Sequence, residues 1–229
     1  MYFSPTYWIY MLPGMLLVML TSWYVKSAYK KWSKVPARSR ISGYEAAQRL
    51  ITRGGLYGVQ IEAIRGEMTD HYDPRSKTLR LSQGVGQGTS VAAVAIAAHE
   101  LGHAMQDAEG YLPLKMRAAM VPMVNIGSNL GWILIMAGLF FNFINLAWLG
   151  VAFFAGGALF ALMTLPVEFN ASARAKTLLA ETGIIQTEEE QRGVNKVLNA
   201  AALTYVAALV TAVLQLLYYA SLLSGRRRR

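Results

Sequence analysis

Three long uncharged stretches divide the chain. Residues 1–25, 118–167 and 197–225 contain no Asp, Glu, Lys or Arg. A helix needs about 20 apolar residues to cross a bilayer. The first and third stretches each fit one span. The middle one, 50 residues long, fits two spans with a short turn between them, and Asn142 and Asn145 mark that turn. The first stretch has no leading positive charge and ends Trp23-Tyr24-Val25-Lys26. That pattern reads as a retained anchor rather than a cleaved signal.

The polar remainder falls in two pieces, 26–117 and 168–196, each too small to fold alone. Ser42 caps a helix over 43–53 that Gly54 and Gly55 end. Residues 59–64 and 78–82 alternate as strands, with a turn at Asp73-Pro74-Arg75-Ser76 between them. Residues 78–82 are expected at a sheet edge, open to pairing with a peptide. Gly84, Gly86 and Gly88 read as a flexible loop, because the Lys-Ser/Thr ending of a phosphate loop is missing. Thr89 or Ser90 caps a helix from Val91 to about Ala108, stopped at Gly110. Gly183 closes a later helix, and Thr187 with Glu190 forms a capping box. The run Glu188-Glu189-Glu190 reads as a solvated helix start.

Composition agrees with a membrane protein. The 229 residues are 54% hydrophobic and 15% charged, against about 25% charged in a soluble domain. The net charge is +9. Fourteen of the 22 Lys and Arg lie in 26–117, which places that segment on the cytoplasmic side. Four full crossings would then put the tail Arg226 to Arg229 outside, against the same rule. A last helix lying in the interface, with Arg on phosphate headgroups, is the other reading. The basic residues flank membrane segments and carry no nucleic-acid-reading motif, so nucleic acid is excluded as a partner.

One motif carries chemistry. His99-Glu100-Leu101-Gly102-His103 places two imidazoles four residues apart on one helix face. They can hold a Zn²⁺ together, with Glu100 placed to act on a water as general base. With three His and no Cys in the chain, this spacing arises by chance roughly 0.002 times. A catalytic zinc takes a third protein ligand. Asp107 and Glu109 are nearest in sequence. Glu168, the first charge after the 50-residue apolar run, is better placed. Its plainer reading is a helix N-terminal acid. An oxyanion stabiliser is also needed, with His71, Tyr72 and Arg174 as candidates. His71 also reads as a turn residue with a local hydrogen bond.

The motif His99 to Gln106, the segment His71-Tyr72-Asp73-Pro74-Arg75, the strand Leu79-Arg80-Leu81-Ser82 and the run Pro166-Val167-Glu168-Phe169-Asn170-Ala171-Ser172 resemble the YugP-type neutral zinc metallopeptidases of bacteria. The plan is more distantly similar to the HtpX-like and CAAX-prenyl membrane proteases. The resemblance implies His99, His103 and Glu168 as zinc ligands and Glu100 as the base. Ser172 stands where the distant relatives have an Asp that orients a ligand imidazole, and Asn170 where closer ones are expected to have Asp. Asn125 or Asn129 are other candidates for that role.

The expectation is therefore a mainly α membrane protein, with about four transmembrane helices and a small α+β, zincin-like domain carrying the motif helix and a short β-hairpin. Its parts are an anchor at 1–25, a peptidase domain at 26–117, a transmembrane hairpin at 118–167, a second peptidase part at 168–196, a transmembrane or interfacial helix at 197–225 and a basic tail at 226–229. The expected activity is gluzincin-like zinc endopeptidase action on membrane or membrane-proximal polypeptides. The expected site is cytoplasmic, in a bacterial cell membrane. The alternatives are a zinc-binding membrane adaptor or chaperone, a phospholipid-binding structural protein, and another zinc hydrolase.

Overall fold

The computed structural model describes residues 4–227, with no side chains described beyond Gly225. The chain is mostly helical, in the order α1 (Pro5–Trp32), α2 (Gly43–Arg53), β1 (Gln60–Ile64), β2 (His71–Asp73), β3 (Thr78–Ser82), α3 (Gln83–Gly86), α4 (Val91–Ala108), α5 (Leu112–Phe140), α6 (Ile144–Glu181) and α7 (Glu188–Arg227). Of these, α1, α5, α6 and α7 are long and apolar enough to cross a membrane. The basic tail lies partly outside the described residues.

Two compact units emerge. The first combines Met1–Ser22, Lys115–Leu165 and Leu203–Arg229, and the second Trp23–Leu114 and Pro166–Ala202. The four long helices each contribute to both.

In the first unit, small residues let α5 and α6 approach closely. A Cβ at Gly138 would lie 2.4 Å from the Ala147 nitrogen, and one at Gly150 would lie 2.6 Å from the Gly131 carbonyl oxygen. Close small-residue contacts of this kind are how helices associate in lipid, where no hydrophobic force drives them together. Asn142, at φ 55, turns the chain between the two helices. Large apolar side chains point outward, with Ile126 69% and Phe140 83% exposed.

The second unit is built as a water-soluble domain would be. Ser42 accepts from the Glu45 amide while Glu45 returns a bond to the Ser42 amide, so α2 starts with a full capping box. Ser90 caps α4 through the Ala93 amide. Gly110 and Gly183 adopt φ of 68° and 63° after α4 and α6, a backbone conformation that glycine takes without Cβ strain. The core joins Leu50, Leu79, Leu81, Val94, Leu101, Leu179, Ile184 and Leu198, all buried. At about 1.5–3 kcal/mol for each large side chain taken from water, this core is the main favourable contribution in the unit.

The sheet differs from the sequence expectation. Its order is β1-β3-β2, with β3 parallel to β1 and antiparallel to β2. Strand β3 is therefore central, and no peptide can add to it. The hairpin is the β2–β3 pair. Between β1 and β2 the chain crosses the end of β3, where Asp70 accepts from both the amide (2.7 Å) and the hydroxyl (3.1 Å) of Ser82. Residues 83–86 form one helical turn, α3, instead of a loop. Thr187 and Glu190 form their capping box. Glu190 is nevertheless buried and not solvated, because it also accepts from the Arg38 amide at 2.6 Å.

Candidate metal centre

The motif helix α4 is buried along almost its whole length, from Val91 to Gln106. Its contact with α6 depends on Gly102. A Cβ there would lie 2.5 Å from the Ala171 carbonyl oxygen. With only hydrogen at that point the two backbones touch, and Glu168, one turn before Ala171 on α6, comes up against the motif. Helix α6 runs unbroken from Ile144 to Glu181 through Pro166. Glu168 is therefore a mid-helix residue, and the reading of it as an acid at a helix start is excluded.

Ligand atoms of His99, His103 and Glu168 lie within 4.8 Å of one another. Glu168 Oε2 is 3.3 Å from His99 Nε2 and 3.6 Å from His103 Nε2. A tetrahedral zinc with ligand bonds of about 2.0–2.1 Å separates its ligand atoms by about 3.4 Å, close to both Glu168 distances, so this donor set suits the ion. Each Nδ1 is turned away and occupied. That of His99 meets Ser172 Oγ at 3.1 Å, and that of His103 meets Gln106 Oε1 at 3.0 Å. Glu168 is 3% exposed, while the two imidazoles keep 13% and 12%.

Glu100 sits beside these groups. Burial raises its carboxyl above the ordinary range, against the lowering effect of His99 and His103. Burial would lower His103, but the nearby carboxylates of Glu168 and Glu100 outweigh this and raise it. The Tyr72 amide donates to Glu100 Oε2 at 3.1 Å, and the Tyr72 hydroxyl donates to Asp107 Oδ2 at 2.9 Å. Strand β2 is thereby fastened to α4 at two points. Asp107, an early candidate ligand, is committed to Tyr72. Burial, followed by the Asp107 contact, pushes the Tyr72 phenol well above its usual range.

Residues 7–224 match the sequence profile of a family described as "Putative neutral zinc metallopeptidase". The chain is also 46% identical over 203 residues, 88% of its own length and 90% of the relative's, to "Putative membrane protease YugP" of Bacillus subtilis (strain 168). This chain belongs to that zinc metallopeptidase family. No solved structure matches it. Membership brings zinc, protease chemistry and a membrane setting to a chain whose His99, His103 and Glu168 already converge.

Two site expectations change. His71 lies on the face of β2 opposite the Tyr72 side chain. Strand neighbours alternate faces. His71 pairs across the ladder with Arg80, and Arg80 in turn bonds Asp73, whereas the Tyr72 side chain goes the other way to Asp107. The His71 ring meets the Thr69 carbonyl at 2.9 Å, the local bond of a turn residue. Arg174 is near the centre but engaged elsewhere. Its Nη1 and Nη2 fork onto the Glu109 carboxylate at 2.5 and 2.7 Å, and its Nε donates to Asn170 Oδ1 at 2.7 Å. Glu109, the other nearby candidate ligand, is held below its ordinary range by that hydrogen bond. Asn129 donates to the Asn125 carbonyl on its own helix.

Sequence reasoning passed over Gln106 and Gly102. Gln106 is fully buried and lies three residues past His103, hence on the same face. A polar residue there in an apolar helix was the available signal. For Gly102 the signal was a glycine in a helix interior, which is tolerated when packing requires it.

Proposed function

We propose that this protein is a membrane-embedded zinc endopeptidase of the gluzincin kind, cutting membrane or membrane-proximal polypeptides. The observation that carries the reading is the convergence of His99 Nε2, His103 Nε2 and Glu168 Oε2 beside the partly buried carboxylate of Glu100. In this reading His99, His103 and Glu168 hold zinc in a zincin-like domain. Bound zinc supplies Lewis acidity, polarising a scissile carbonyl and making a water more acidic. Glu100 takes the proton from the attacking water and delivers it to the leaving amine. Burial raises its affinity for protons, the direction a general base needs. The Tyr72 amide orients one Glu100 oxygen, leaving the other for the water. His71 and Arg174 carry no step in this scheme. The excess of Lys and Arg in 26–117 supports a cytoplasmic site in a bacterial cell membrane.

The test is cleavage of model membrane polypeptides by detergent-purified protein, with new termini identified by mass spectrometry. Wild type should cut. Glu100→Gln should keep zinc and lose turnover by about 10²–10⁴-fold, the range of general-base catalysis. Unchanged turnover in Glu100→Gln would remove the assigned base. Zinc binding with no cleavage by wild type would favour an adaptor over an enzyme.

A further inference from the structure

The two imidazoles of the centre are held by different kinds of partner. Ser172 carries a hydroxyl that can either donate or accept, so its 3.1 Å contact leaves the hydrogen of His99 Nδ1 unspecified. His103 ends a chain whose direction is fixed at both anchors. The Gln106 side chain lies 2.8 Å from the Val167 carbonyl oxygen. A carbonyl only accepts, so the Gln106 atom facing it is the NH₂ group. Its Oε1 must then face His103, and His103 Nδ1 must be the donor. The second anchor gives the same direction. Arg174 Nε only donates, so the Asn170 atom 2.7 Å from it is Oδ1. That same oxygen accepts from Gln106 Nε2 at 2.9 Å. The two-pronged Glu109–Arg174 ion pair holds the guanidinium in place.

We propose that the Glu109–Arg174 pair, acting through Asn170 and Gln106, fixes His103 as the tautomer with hydrogen on Nδ1 and so leaves its Nε2 lone pair free for a metal ion held together with His99 and Glu168. Gln106, Asn170 and Arg174 are positioning residues, and Arg174 acts three links from His103 instead of on the substrate. The relay uses residues 103 and 106 of α4 with Glu109 just past its end, and 167, 170 and 174 of α6, so it also locks the two helices in register. The proposal rests on the reading of His99, His103 and Glu168 as a zinc site.

The experiment is competition for zinc between the full-length detergent-purified protein and a chromophoric chelator, with thermal melting of each metal-free variant alongside. Gln106→Met keeps the volume and removes the acceptor, and its zinc affinity should fall about 10–100-fold, as for loss of an outer-shell partner. Asn170→Leu should fall in the same direction. Asn170→Asp, close to Asn in size and still an acceptor toward both Gln106 and Arg174, should stay near wild type. Arg174→Met should weaken binding, and Arg174→Lys should recover part of the loss. Ser172→Ala should cost less than Gln106→Met. The spectroscopic check is long-range ¹H–¹⁵N correlation of zinc-loaded protein labelled on its three histidines, in which His103 should show a protonated Nδ1. Asn170→Asp as weak as Asn170→Leu, or zinc affinity unchanged in all variants, would overturn the relay while leaving the zinc site intact. A wild type that binds no zinc would overturn the site reading itself, and the relay with it. Should Gln106→Met melt early, the Arg174 pair, at a partly exposed position, decides the matter.

Discussion

The two units of this protein share four helices and follow opposite rules. In the second, apolar side chains turn inward to a core around Leu50, Leu81 and Leu101, and buried Gln106, Ser82 and Glu190 are hydrogen-bonded. In the first, Ile126, Met123 and Phe140 point outward, residues 118–165 carry no charge, and glycines form the contacts between helices. The difference is one of solvent. Lipid gives no reward for burying Leu, so the first unit is held by close backbone packing. Water does, so the second holds a core stiff enough to keep a metal centre in shape.

A charge placed on the outer face of each unit should break the symmetry most strongly. Ile126→Asp should cost about 2.5–3.5 kcal/mol of insertion if that face meets hydrocarbon. Tyr57→Asp, at a more exposed position of the second unit, should stay within about 0.5 kcal/mol. Glycosylation-reporter insertion and thermal melting read the two, and equal effects would dissolve the distinction. A smaller effect should come from added volume. Gly102→Val drives a side chain into the Ala171 backbone and should cost about 1–3 kcal/mol, with loss of zinc. Gly156→Val, with no atom within 4 Å of its added Cβ, should change melting by less than about 0.5 kcal/mol. The smallest effect is electrostatic. A hydrogen bond from Arg80, with help from the Arg75 amide and Ser76, lowers Asp73 to about 2 from an ordinary 3.8. A lowered carboxylate stabilises above its unfolded value and loses that contribution as the pH falls through its folded one. Acid unfolding should therefore show an Asp73-dependent loss between about pH 4 and 2, absent in Asp73→Asn.

Features encoded locally were legible. The uncharged runs set the four long helices. Ser42, Ser90 and Thr187 marked helix starts, Gly110 and Gly183 marked ends, and Asn142 marked the turn, because each acts through its own backbone. The spacing of His99 and His103 required only a helix. What depended on distant pairing was not legible. Strand β2 has three residues, too few for a pattern. Whether residues 78–82 lie at an edge or in the centre is decided by β1, 18 positions away in register. Glu168 kept a second reading, as a helix start, until α6 proved continuous. Arg174 looked available because its partner Glu109 is 65 residues off. Around the histidines, Ser172 and Asn170 were indicated by the resemblance and Gln106 was not, and their contacts form only once Gly102 lets α4 and α6 meet.

The central claim is that three side chains from two helices make one zinc site. Zinc per chain, measured by elemental mass spectrometry on detergent-purified wild type, His103→Ala and Glu168→Ala, tests it most directly. The account predicts about one zinc in the wild type and loss in both variants, with helical content unchanged. Full zinc retention in Glu168→Ala would contradict it and move the third ligand elsewhere.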